Sequence, residues 1–204
     1  NSDAHSPENL GREANAWELE DFSYDEIYNI FKNKDKKKFL YTIEFYPEEG
    51  KYHHDGHLKC GISLTPEESK KNKGICPVCK KPLIIGTMNR VMELADRSIE
   101  EVEKIREQFV PYKSLIPLKE IIGEIENVGS KSKKVDHIYH KLIKKGENEF
   151  NLLLNIDIEN LKIIGGEVFA EAIQRMRDAK VNLQPGYDGK YGVIKVFKEN
   201  ELKK

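Results

Sequence analysis

Apolar positions along this chain fall into short clusters separated by charged runs, and their period changes several times. From residue 1 to about Ala16 the pattern is that of a loop, punctuated by Pro7 and Gly11. Ser23 and Glu26 have the spacing of a helix-capping box, and Ile27, Tyr28, Ile30 and Phe31 supply an apolar helix face. The basic run from Lys32 to Lys38 ends that helix. Phe39 to Tyr46 is rich in aromatic and β-branched residues and predicts a strand before Pro47. A loop rich in His, Gly and Lys then carries the cysteines, and Pro82 to Gly86 reads as the second arm of a knuckle hairpin. Met88 to about Phe109 turns helical, with Val91, Leu94, Val102 and Ile105 on one side and a break near 96–98. Pro111 and Pro117 bracket a linker. Four helices follow, over 118–125, 133–144, 158–164 and 167–177, joined by Gly or Asn turns. Pro185-Gly186, Asp188-Gly189 and an alternating run from Tyr191 to Phe197 predict a terminal β-hairpin. No internal repeat is visible.

Composition narrows the class. The 204 residues suit one large domain or two small ones. Charged residues make up 34%, but the recurring Ile, Leu, Val and Phe clusters argue against wholesale disorder. With 34 basic and 35 acidic side chains the formal net charge is -1, which excludes a uniformly basic nucleic-acid coat and leaves room for a local basic face. Nothing approaches the ~18 to 20 apolar residues of a membrane span, and there is no signal-peptide pattern, so the expected compartment is the cytoplasm. The chain opens on Asn1 and runs directly into a polar cluster, which reads as a piece of a longer protein.

The three cysteines are odd in number and clustered, which suits a metal site in a reducing compartment better than a disulfide framework. His57-x2-Cys60 and Cys76-x2-Cys79 form two ligand pairs, each separated by the two residues that let a tight turn aim both side chains at one ion. The competing readings are a buried free thiol or two with a solvated histidine, or a Cys76/Cys79 redox pair, but a redox pair needs neither a third cysteine nor a matching histidine. His53 and His54 are nearby alternatives; spacing favours His57. A closed set of four implies a structural Zn2+, since catalytic zinc keeps a position open for water.

At the amino end, Asp3 and His5 stand two apart, and on an extended segment their side chains share one side. Such a carboxylate and imidazole can contribute to a catalytic metal site or simply be solvated. Ser2-Asp-Ala-His-Ser-Pro7 with Leu10-Gly-Arg-Glu13 resembles the last metal-binding motif of the polymerase and histidinol phosphatase (PHP) superfamily. Further along, the segments 45–57, Cys60-Gly61, Leu64-Thr-Pro-Glu-Glu68, Gly74-Ile-Cys-Pro-Val-Cys79, 90–97, 112–118 and Pro185-Gly-Tyr-Asp-Gly189 resemble the endonuclease Q family of PHP-type DNA repair nucleases, in order and over nearly the whole chain. The resemblance implies an enzyme that cuts DNA 5′ to uracil, hypoxanthine, xanthine or an abasic site, using divalent ions (Zn2+, Mn2+ or Mg2+) in a PHP barrel. It assigns Asp3 and His5 to that catalytic metal site. The family's earlier metal motifs belong to an amino-terminal barrel absent from this sequence, so this polypeptide alone is expected to be inactive, with that barrel as its missing partner.

DNA contacts are expected in three places. Ile164-Gly165-Gly166 resembles the second half of a helix-hairpin-helix, whose Gly turn offers backbone amides to a phosphate, although Ile stands where the usual first Gly would be; an ordinary helical pair with a Gly turn is the alternative. Lys131, Lys133 and Lys134 cluster just before a helix and suit phosphate contact. Tyr52 and Tyr187 are candidates for stacking on an extruded base. The expected fold class is α+β: a PHP barrel remnant over 1–47, a zinc knuckle or ribbon over 48–110, and a helical DNA-binding region over 111–204 closed by a β-hairpin. The leading function is zinc-stabilised recognition of damaged duplex or single-stranded DNA for a metal-dependent endonuclease; the alternative is a zinc-stabilised protein-interaction module without nucleic-acid function. No membrane partner is expected.

Overall fold

The computed structural model describes residue 2 and residues 4–202. In chain order its main elements are β1 (Ala14–Trp17), α1 (Tyr24–Asn33), β2 (Phe39–Glu44), β3 (Asp55–His57), β4 (Ile62–Leu64), α2 (Pro66–Lys71), α3 (Thr87–Leu94), α4 (Ile99–Ile105), β5 (Tyr112–Ser114), α5 (Leu118–Ile125), α6 (Lys133–Gly146), a π-helical turn (Asn151–Asn155), α7 (Ile158–Gly165), α8 (Glu167–Arg177), β6 (Asn182–Gln184) and β7 (Val193–Lys195). The architecture is mixed α and β, with small sheets. The chain divides into two compact units, Asn1–Phe45 with Arg97–Leu115, and Tyr46–Asp96 with Ile116–Lys204.

The first unit is built on a three-stranded sheet of order β1-β2-β5, antiparallel between β1 and β2 and parallel between β2 and β5. Two of its strands were not expected: β1 lies at the end of the presumed amino-terminal loop, and β5 lies in the presumed linker between Pro111 and Pro117. Both are short, and pairing with β2, not local propensity, holds them extended. Ser23 caps α1 by accepting from the Glu26 amide. The capping box is not reciprocal, because the Glu26 carboxylate instead accepts from the amides of Glu20 and Asp21 and from Lys38. Trp17 stacks on Phe39 at 4.2 Å between centroids, and Phe31 meets both rings edge-on. Trp17 is therefore a packing residue. Ile30, Ile43 and Leu115 are buried in this unit.

In the second unit the apolar core lies among α5 to α8. Leu118, Ile121, Val135, Leu152, Leu161 and Ile173 are fully buried there. Burial at this spacing is what the helical period predicts. Helix ends are satisfied by remote groups as well as local ones. Ser132 and Asp157 cap α6 and α7 from their own N-cap positions. Pro117, which precedes α5, has no capping side chain, and Glu149 supplies the acceptor for the Leu118 amide at 2.8 Å while also accepting from Tyr139. Burial and that carboxylate push the Tyr139 phenol up to about 12. Arg177 donates to the carbonyls of Leu153, Ile156 and Leu152, closing the π-helical turn, and its own burial lowers its pKa.

The expected terminal hairpin forms, with β6 antiparallel to β7. Its exit is pinned to the helices by Glu124, whose two carboxylate oxygens accept from Val196 and Phe197 at 2.9 and 2.8 Å. The helical pattern expected over 88–109 is present as α3 and α4 with its break, and much of its apolar side is exposed. No residue of α3 or α4 is buried, and Val91 and Leu94 on α3 and Val102 on α4 are exposed. The period identifies an amphipathic helix but not what covers it.

Truncating Ile173 to Ala should cost ~2 to 5 kcal/mol, because the lost transfer energy and the residual cavity add at a fully buried site; urea unfolding should show a lower midpoint with an unchanged slope. A second expectation concerns acid. The Lys38 ammonium, with the Asp21 and Glu20 amides, holds the Glu26 carboxyl down to about 2 from its ordinary 4.5. Because the folded value is depressed, its contribution is complete above about 4.5 and is lost as pH falls through about 2. Replacing Lys38 with Met should raise the Glu26 midpoint toward 4.5 in an NMR carboxyl titration.

Candidate metal centre and nucleic-acid surfaces

Two knuckles meet at the centre of the Tyr46–Asp96 segment. β3 ends at His57, a single 3-10 turn over Leu58–Cys60 carries Cys60, and Gly61 in the left-handed region returns the chain into β4, which pairs with β3. The second knuckle is held by two backbone bonds, Cys76 amide to Lys81 carbonyl at 2.8 Å and Lys80 amide to Cys76 carbonyl at 3.0 Å. Its outgoing arm bridges back, Ile75 to Pro82 and Gly56 to Ile84, so the expected hairpin arm is present as isolated bridges and not as a strand. Between the knuckles lies α2, which was expected as loop. Thr65 and Glu68 cap it reciprocally, a capping box that stands in the sequence as Thr65-Pro-Glu-Glu68.

The result is one cluster: the imidazole of His57 and the thiols of Cys60, Cys76 and Cys79, with their ligand atoms all within 4.8 Å of one another. His53 and His54 are not members. Cys79 Sγ lies 3.6 Å from His57 Nδ1. With zinc to sulfur at about 2.3 Å and zinc to nitrogen at about 2.0 Å, two ligands on one tetrahedral ion stand ~3.5 Å apart, so the spacing fits a shared ion. Electrostatics point the same way. Burial, and the neighbouring Cys79 and Cys76 thiols, push Cys60 up to about 11. Burial also opposes ionisation of Cys76, but the amides of Cys79 and Val78, with the two other thiols, draw it below its ordinary value. Three crowded sulfurs cannot all ionise without a cation among them. The cluster can therefore hold a metal ion.

Two carboxylates that the sequence reading did not single out fix this centre. Asp55 is fully buried and accepts from the Gly86 amide and the Asn89 side chain, tying β3 to the start of α3. Asp188, in the Pro-Gly-Tyr-Asp-Gly turn, accepts from the Leu58 amide at 2.6 Å, the residue next to His57. That turn is laced to the segment before β3 by bonds from Gly186 to Glu48, His54 to Gly186, Gly189 to Lys51 and Gly192 to Glu49. The approach is close enough to demand glycine: a Cβ on Gly192 would meet the Glu48 carbonyl at 1.9 Å, and one on Gly56 would meet the Tyr187 ring at 2.4 Å. His54, partly buried, has its imidazole pKa lowered by desolvation and by His53. Only the Asp-Gly turn signal pointed to Asp188; nothing local marked Asp55.

The other candidates are dispersed. Asp3 lies outside the described residues, and His5 is exposed. Lys131 and Lys133 line a cavity of about 420 Å³ with Lys119, Asp136, His137 and His140 at the start of α6. Lys134 is instead paired with Glu126, and Lys119 with Asp136 at 2.7 Å. Asp136 is held below the usual carboxylate range by that lysine. Gly165 ends α7 and Gly166, at φ +91°, opens α8 without a side-chain cap. The Tyr187 ring rests on Gly56, whereas Tyr52 is exposed.

Comparison with known proteins is consistent along the chain. A family profile described as the MJ0043 C-terminal domain matches residues 117–180, which include α5 to α8. The chain is 37% identical to protein MJ0043 of Methanocaldococcus jannaschii over 95% of its own length and 25% of that protein's, and 29% identical to YqxK of Bacillus subtilis over 96% of its length and 46% of that protein's. It therefore spans from a quarter to about half of these relatives. Among solved structures, the lesion-specific endonuclease PfuEndoQ of Pyrococcus furiosus matches the whole chain with a TM-score of 0.83 and 32% identity, covering 50% of that protein. An endonuclease Q in complex with a 27-mer duplex substrate carrying an abasic lesion at its active site matches with a TM-score of 0.76 and 30% identity, again over the whole chain and 50% of that protein. Fold and sequence together make this chain similar to half of an endonuclease Q.

Proposed function

We propose that this chain is the zinc-stabilised, DNA-recognising portion of an endonuclease Q-like, metal-dependent DNA repair enzyme that cleaves 5′ to deaminated bases or abasic sites. The observation that carries this reading is the full-length structural likeness to PfuEndoQ at 32% identity. In this reading residues 1–47 end a PHP-type nuclease barrel, residues 48–110 bind zinc, and residues 111–204 contact DNA. Asp3 and His5 are the chain's contribution to the catalytic metal site, whose other ligands belong to an amino-terminal barrel. There, divalent ions would activate water and neutralise charge on the phosphoryl oxygens.

His57, Cys60, Cys76 and Cys79 hold one structural Zn2+, which leaves no open position for chemistry. Its role is to make the two knuckles one rigid body. Lys131 and Lys133 line the α6 cavity, where a backbone phosphate can neutralise both. Lys134 has Glu126 as a competing partner and joins only if a phosphate displaces it. The uncapped amides after Gly165-Gly166 offer a further phosphate contact. Tyr52 and Tyr187 are the proposed stacking contacts.

Elemental analysis of the purified protein should find one zinc per chain. Replacing Cys76 with Ser should remove it, and hydrogen exchange should then accelerate in 53–87 while α5 to α8 keep their protection. A reversible Cys76–Cys79 disulfide in a metal-free protein would instead support the redox reading. For DNA, fluorescence anisotropy against duplexes carrying uracil, hypoxanthine, an abasic site or normal bases should show binding that weakens steeply with salt. Replacing Lys131 and Lys133 with Gln should reduce the slope of log K against log salt by about 2. Absence of binding to every duplex at low salt would sink this reading and favour the protein-interaction module.

A further inference from the structure

The turn at 185–192 and the segment 46–54 are joined by four backbone hydrogen bonds, so anything mounted on either is held against the other. Two large aromatic side chains stand out from this pair. Tyr52 is 45% exposed and Tyr191 is 68% exposed. One ammonium reaches both: Lys51 Nζ lies 5.7 Å from the Tyr52 ring centre and 5.8 Å from that of Tyr191. Lys190 adds a second ammonium beside Tyr187, 5.9 Å from its ring. The nearby Asp188 carboxylate is engaged by the Leu58 amide. Lys51 is itself exposed, with its ammonium beside two aromatic rings.

We propose that Tyr52 and Tyr191, bridged by Lys51 and flanked by Lys190, form a stacking platform for an unpaired nucleobase in a single-stranded stretch of DNA. The inference rests on the DNA-binding reading above and specifies where and how an unpaired segment is held. Planar rings paired with a cation are the chemistry that such strands require: the base stacks on tyrosine while its phosphate neutralises the lysine, without reading sequence. An acidic peptide would satisfy Lys51 but leave both ring faces without a planar partner. Tyr187, whose ring is laid on Gly56, lies beside this platform and has Lys190 over its ring. Rigidity matters because a platform assembled before binding loses little entropy when the strand arrives.

The test uses the zinc-loaded chain with a single-stranded oligonucleotide containing 2-aminopurine, following anisotropy and the fluorescence of the base analogue. Stacking on tyrosine should quench that fluorescence on binding. Tyr52→Ala and Tyr191→Ala should each weaken binding by about tenfold and reduce the quench, while Tyr52→Phe and Tyr191→Phe should behave as the parent. Lys51→Gln should lower the salt slope by about 1. An oligomer of the same phosphates lacking bases should bind at least tenfold more weakly than the base-bearing strand. If the parent binds DNA but the alanine variants bind and quench equally well, the platform is wrong and the DNA-binding reading stands. Equal affinity for the baseless oligomer also overturns the platform, leaving a charge contact. If the parent binds no DNA at all, both readings fall together. Should an alanine variant lose its circular dichroism, Lys51→Gln and the baseless oligomer decide the question.

Discussion

Much of this protein is short elements and irregular chain, and such chain can be buried only if its backbone amides find acceptors. Carboxylates from elsewhere in the fold meet that demand. Asp55 serves Gly86, Asp188 serves Leu58, Glu124 serves Val196 and Phe197, and Glu149 serves Leu118. In the first unit Glu26 serves Glu20 and Asp21. Each bond joins segments that have no regular ladder in common, and a carboxylate accepting amides is a stronger acceptor than a neutral carbonyl. The large fraction of charged residues, which looks on composition like a solvated surface, thus includes several that hold the second unit together.

The metal centre shows how such tethers and ligands act in concert. The His57 and Cys60 knuckle is shaped by Gly61 and the β3-β4 pair, and Asp188 steadies its first amide from more than a hundred residues away. Asp55 anchors the other end of β3 to the approach of α3. A cation shared by the four ligands would offset the burial and the neighbouring thiols that push the Cys60 thiol up to about 11. The Pro-Gly-Tyr-Asp-Gly turn is consequently both the tip of the terminal hairpin and a tether of the knuckle that carries His57 and Cys60. This double use explains why glycine is required at 192, where the turn meets the Glu48 carbonyl.

Several features were legible in order along the chain. The ligand spacing picked out the four side chains that cluster so that they could hold a metal ion, and the helices of the 118–177 region follow from their periods and caps, as does the final hairpin from its turn residues. β1, β5 and α2 were not read. The first two are three or four residues long and extended because β2 is beside them, while α2 carried a capping-box signal inside a segment whose glycines and lysines suggested loop. The exposed apolar faces of α3 and α4 mark the same boundary, since a period of 3.6 reports a face and not its neighbour.

By itself the sequence determined what depends on spacing: local caps, helix faces, and a tetrahedral donor set written as two pairs two residues apart. Tertiary structure alone decided which groups from distant segments meet. It chose His57 over His53 and His54, brought Asp188 to the knuckle, laid Tyr187 on Gly56 and left Tyr52 and Tyr191 outside around Lys51. The physical reason is that capping and coordination by a tight turn act over a few residues, whereas close packing and the satisfaction of buried amides select partners from the entire unit.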